Sequence, residues 1–87
     1  MKELDYKVLG SGSRGNAVRI EDIMIDCGMP YKDMKRDLLK CRILFITHKH
    51  GDHVRRETLA RIRQHHKQIK VVTNWQVAEL HKAEITS

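Results

Sequence analysis

Ile43-Leu44-Phe45-Ile46-Thr47-His48-Lys49-His50-Gly51-Asp52-His53 is the stretch around which the 87-residue chain is read. Its first half, Ile43 to Thr47, is short, apolar and rich in β-branched side chains, which predicts a buried strand. Its second half places three histidines and an aspartate within six positions, where a strand would leave its sheet. Imidazoles and a carboxylate together are donors that borderline metals such as zinc accept well. Residues two apart project from one face of an extended chain, so His48 and His50 point together. Asp52 keeps that parity, and His53 joins if a turn or helix begins there. Gly51 is expected to free the backbone between the donor pairs. A lone His-x-His is usually a surface loop, whereas His-x-His-x-Asp-His is far more specific to a metal site.

Toward the N-terminus, Leu4, Tyr6 and Val8 alternate with Asp5 and Lys7, the pattern of a half-buried first strand. Gly10-Ser11-Gly12-Ser13-Arg14-Gly15-Asn16 follows. It lacks the Gly-Lys-Ser/Thr ending of a phosphate-binding P-loop, and it is not a dinucleotide fingerprint. Such a loop is most often a tight turn, yet its backbone N–H groups and Arg14 could approach an anion closely. Ala17–Ile20 and Ile23–Ile25 read as two strands joined at Glu21-Asp22. Asp26-Cys27-Gly28 closes the second of them. Pro30 suits the first position of a helix, whose apolar stripe is Tyr31, Met34 and Leu38.

Beyond His53 a second helix is predicted. Leu59, Ile62 and His66 share one face, and Arg56, Arg63 and Lys67 form a basic stripe on another. His65 and His66 are expected at the helix end or surface. Ile69, Val71 and Val72 read as a strand. Asn74 is the N-cap of a last helix, with Val77, Leu80 and His81 on one side and Trp75 expected as a core anchor.

Composition bounds the class. The net charge is +6, from 17 Lys/Arg and 11 Asp/Glu, which suits nucleic acid, a nucleotide or an acidic surface as partner. No apolar run is long enough to span a membrane, and Met1 to Asp5 lacks the apolar core of a secretory leader. Two cysteines, Cys27 and Cys41, without Cys-x-x-Cys spacing argue against a disulfide framework and for a reduced, cytoplasmic setting.

The His48-Lys49-His50-Gly51-Asp52-His53 cluster resembles the signature of the metallo-β-lactamase superfamily of hydrolases. Gly10 to Asn16 is similar to the first loop of a branch carrying Gly-Ser-Gly-Ser-x-Gly-Asn, which includes predicted phosphodiesterases and nucleases. Asp26-Cys27-Gly28 resembles the family's Asp-x-Gly. The resemblance implies two divalent metals, zinc first, with manganese or iron as alternatives. His48 and His50 would hold one metal and Asp52 and His53 the other, with Asp52 also the catalytic residue. Asp26 would order the metal-binding loop without ligating, because ligating histidines donate their other N–H to an acceptor. Ser11, Ser13, Arg14 and Asn16 would form the substrate or anion loop.

The family is a four-layer αββα sandwich of two similar halves, and the match covers only the first. The expected fold is therefore α+β: one truncated domain over residues 1–87, with one mixed sheet, about three helices and the order βββαβαβα. The family's later histidines and bridging aspartate have no counterpart here, and His65, His66 and His81 do not replace them. Each metal keeps two protein ligands, against about three in a usual catalytic zinc site. The sheet face that would meet the other half is expected to be apolar and uncovered, which requires a partner.

These features point to a metal-dependent hydrolase, phosphodiesterase- or nuclease-like, or to its metal-binding half. The alternative is a non-catalytic binding or inhibitor protein, using the uncovered face as a homodimer or against another protein, with the basic helix toward nucleic acid. A metal-buffering module is a third class.

Overall fold

The computed structural model describes residues 3–86. Among the described residues five strands and four helices follow in the order β1 (Tyr6–Gly10), β2 (Ala17–Ile20), β3 (Ile23–Ile25), α1 (Tyr31–Leu38), β4 (Ile43–Ile46), α2 (Arg56–His65), β5 (Lys70–Thr73), α3 (Trp75–Leu80) and α4 (Lys82–Thr86). The class is α+β with one mixed sheet, the coarse fold that the resemblance implied. A fourth, short helix is added after His81. Pro30 immediately precedes α1 and does not open it.

The strands lie in sequence order, β1-β2-β3-β4-β5. The first three pair antiparallel, while β3/β4 and β4/β5 pair parallel. The glycine-rich loop 11–16 joins β1 to β2, the two-residue turn Glu21-Asp22 joins β2 to β3, and helical crossovers serve the parallel pairs. Both crossovers step the same way across the sheet. Right-handed connections therefore put α1 and α2 on the same face.

That face carries the core. Met24 and Leu44 project from the central strands toward Met34 and Leu38 of α1 and Leu59 and Ile62 of α2, all fully buried. Arg19 lies on the same face and is buried. Its Nε donates to Asp37 Oδ1 at 3.0 Å and its Nη1 to Asp5 Oδ2 at 3.1 Å. These carboxylates hold the guanidinium charged, its pKa raised despite burial.

The other face is open. Strand register aligns Tyr6, Ile20, Ile23, Ile43 and Lys70 in one row and Val8, Val18, Ile25, Phe45 and Val72 in the next. Phe45 sits on an interior strand and is still 48% exposed, so none of the described residues covers this side. The first strand forms as predicted but is not half-buried: Tyr6, Lys7 and Val8 are all exposed, with Tyr6 and Val8 turned to the open side. Trp75 is 76% exposed and anchors no core. It opens α3 from outside, where Asn74 Oδ1 caps Val77 N at 2.9 Å.

Candidate metal centre

Parallel strands β3 and β4 end side by side, which brings the residues that follow them into contact at the carboxyl edge of the sheet. Asp26 follows β3, and Thr47 to His53 follow β4. Asp26 has φ of 68°. This left-handed conformation costs a non-glycine residue free energy and is tolerated best by Asp and Asn. It turns a buried carboxylate toward the neighbouring loop.

The Asp26 carboxylate collects that loop. Oδ1 accepts from Thr47 N at 2.8 Å, and Oδ2 accepts from His53 Nδ1 at 2.8 Å. The Thr47 hydroxyl is 2.9 Å from Oδ2 and 3.0 Å from Oδ1. It is also 2.8 Å from His48 Nδ1. A carboxylate only accepts, so the hydroxyl proton points to Asp26 and Thr47 Oγ1 accepts from His48 Nδ1–H. Likewise His53 Nδ1 must carry its proton. Both rings thus carry a proton on Nδ1, which in the neutral tautomer leaves the Nε2 lone pair free.

Those rings are neighbours. The centroids of His48 and His53 are 4.5 Å apart, and those of His48 and His50 are 6.5 Å apart with nearly parallel planes. The chain from Lys49 to His53 is a bend and turn, so its rings are gathered by the turn and not by strand parity. His53 Nε2 faces Asp52 Oδ2 at 3.7 Å. A lone pair and an anion at that distance repel unless a proton or metal lies between them. The donor set, three imidazoles and one carboxylate, fits a divalent cation of the zinc type. Among the described residues, however, no three such side chains yet converge on one point as ligands would.

Asn16 ties the glycine-rich loop to this site. Its Nδ2 lies 2.9 Å from Gly12 O, 2.9 Å from Asp52 O and 3.3 Å from Asp52 Oδ2, and its backbone N donates to Asp52 O at 2.7 Å. Ser11, Ser13 and Arg14 sit on the exposed rim of the loop, and none of their side chains hydrogen-bonds to described residues. Of the four predicted anion-loop residues, the structure joins only Asn16 to the site.

Glycine is needed at Gly28, not at Gly51. A Cβ on Gly28 would lie 2.0 Å from Asp52 O, whereas one on Gly51 would meet nothing within 4 Å. Gly51 also lacks positive φ. Sequence reasoning assigns no site role to Gly28, quoted only as the close of Asp26-Cys27-Gly28, or to Thr47, placed as the last residue of the predicted strand; their signal was position, each at the end of a strand that leads into the site. Cys27, between Asp26 and Gly28, is fully buried and stands as a thiol. Burial and the Asp26 charge push its thiol up to about 12.

The remaining histidines lie elsewhere. His66 caps the end of α2, one of the two positions expected for it, but is buried there, and its Nε2 is 2.8 Å from the Tyr31 hydroxyl. Burial first, then the nearby His65 and Lys35 charges, holds His66 below its ordinary pKa. His81 is buried beside Glu84, with 3.2 Å between Nδ1 and Oε1. No protein-family model matches this chain, and neither does any curated protein or solved structure.

Proposed function

We propose that this chain is the metal-holding part of a hydrolase that cleaves phosphodiesters, built on the N-terminal half of a metallo-β-lactamase-like sandwich. The pair of locked imidazoles carries this reading. Thr47 and Asp26 hold the protons of His48 and His53 on Nδ1, so both Nε2 atoms stand ready as donors. This is the arrangement in which an outer acceptor fixes the tautomer and aim of a metal ligand.

His48 and His50 would hold one divalent metal, and Asp52 and His53 a second. Zinc suits the nitrogen-rich set, with manganese or iron as alternatives. Bound metal supplies Lewis acidity at a phosphoryl oxygen and acidifies water toward neutral pH. The chain's own residues supply orientation. Asp26 keeps the His53 proton at Nδ1, Asn16 holds the Asp52 main chain, and Gly28 lets the two loops touch. Further donors would come from a second chain or from additional sequence.

Calorimetric titration of the purified chain with zinc or manganese tests the reading. Saturable binding is expected, lost in His50→Ala and weakened about 10–100-fold in Asp26→Asn. Hydrolysis of a model phosphodiester should decline in the same order. Binding that survives unchanged in His50→Ala would remove the proposal.

The open sheet face favours a second reading, a binding protein whose partner covers Val8, Ile25, Phe45 and Val72. A second copy is the simplest cover, because two such faces are alike in chemistry. A solution mass that rises with concentration would support it, and a strict monomer at high concentration would oppose it.

A further inference from the structure

On the helical side of the molecule, a cleft of about 800 Å³ lies between the start of α1, the start of α2 and the α3–α4 junction. Its volume is within the usual range for a small-molecule site. Its lining is strongly cationic: Lys32, Lys49, Arg55, Arg56 and Arg61 stand against one carboxylate, Glu57. Arg56 is committed to Glu84, and Arg61 reaches Glu57 only at 4.0 Å. Lys32, Lys49 and Arg55 form no ion pair with any described residue. Like charges gathered in a concavity repel one another unless an anion joins them.

Two further observations place the ligand. Both α1 and α2 begin at this cleft, and neither has a side-chain cap on its N-terminus. First-turn N–H groups lack intrahelical partners, and the helix dipole adds positive potential there. Two such ends converging on one cavity make an anion site of the kind phosphates occupy. The third wall carries His81, only 4% exposed, whose Nε2 has no hydrogen-bond partner. An imidazole nitrogen buried without a partner costs free energy. His81 Nδ1 faces the Glu84 carboxylate and donates to it, so Nε2 is an acceptor, to which a ligand hydroxyl and not a phosphate oxygen could donate.

We infer that this cleft binds a nucleotide-sized ligand, its phosphate group between the N-termini of α1 and α2 and a ligand hydroxyl toward His81 Nε2. This site shares Lys49 and Gly51 with the histidine loop but uses none of its candidate ligands, and it does not depend on the metal reading. The phosphate could belong to a free nucleotide or to one unit of a single-stranded nucleic acid, and the two sources behave differently on titration.

The test is a titration of the whole chain, in chelator so that no metal contributes, followed by amide and imidazole NMR shifts. The probes are inorganic pyrophosphate, a nucleoside diphosphate and a short single-stranded oligonucleotide. Saturable shifts are expected at Tyr31 to Asp33, Arg56 to Thr58 and the His81 ring. Arg55→Gln with Lys32→Gln should weaken binding about tenfold or more, with the fold and the zinc titration unaltered. One equivalent of nucleotide at saturation would identify the free source. Much tighter oligonucleotide binding with a steep salt dependence would identify the strand. Shifts spread over all lysines and arginines, shifts confined to residues 48–53, or affinity unchanged in the double variant would overturn the inference.

Discussion

At the residue scale, the centre depends on two residues flanking Cys27. Asp26 adopts φ of 68° and gathers Thr47 and His53 on one carboxylate. Gly28 permits the main chain of Asp52 to pass where a Cβ would be. Gly28→Ala must therefore push the two loops apart. We expect it to cost about 1–3 kcal/mol of stability, as overpacking does, and to weaken metal binding as well. Gly51→Ala is the matched control and should stay within about 0.5 kcal/mol, since its new Cβ meets open space. Thermal unfolding with and without zinc measures both. Equal effects from the two substitutions would mean that the close approach at Gly28 is unimportant.

At the element scale, α1 is fastened to the edge of the sheet by charge as well as by Met34 and Leu38. Asp37 of α1 receives Arg19 Nε from β2 and Lys7 Nζ from β1. Burial pushes the Asp37 carboxyl up, but the Arg19 hydrogen bond and the Lys7 charge outweigh it, so its pKa lies below 3.8. Asp5 is likewise lowered, chiefly by its hydrogen bond with Arg19. A carboxyl with a depressed folded pKa adds stability above its unfolded value. That stability should be complete above about pH 4 and should drain away as pH falls through the folded values. Asp37→Ala leaves the buried Arg19 with Asp5 as its only carboxylate partner beside the Glu21 carbonyl, and we expect a loss of about 3 kcal/mol at neutral pH. Denaturant unfolding across pH 2–7 should show this loss together with a shallower acid limb. An unchanged acid limb would assign the acid sensitivity to other groups.

At the scale of the whole molecule, one-sided helix packing leaves an apolar sheet face exposed. Isolated exposed hydrophobics are ordinary, but two aligned rows across five strands are a contiguous patch. Lysine on that face should disfavour assembly and leave the monomer nearly untouched. We expect Val8→Lys with Phe45→Lys to shift the chain to a monomer in sedimentation equilibrium. Its unfolding midpoint, measured at low concentration, should barely move. An assembly unaffected by both lysines would be held by some other surface.

The sequence by itself determined the elements. β-Branched runs and apolar stripes are local patterns, so Ala17–Ile20, Ile23–Ile25, the α1 stripe and the Asn74 cap stand where they were expected. It also assembled the donor residues His48, His50, Asp52 and His53, because they are adjacent in the chain. Three things could be decided only by tertiary structure. One is which side each alternating strand turns inward, which buried Arg19 and exposed Tyr6 and Val8. Another is the partnership of Asp26 with a loop 21–27 residues away, which locks two histidine tautomers. The last is the cationic cleft, whose Lys32, Lys49, Arg55 and His81 come from separate segments. The physical reason is common to all three. Periodicity reports how a side chain alternates along its own element, whereas the identity of its partner depends on how the crossovers bring distant elements together.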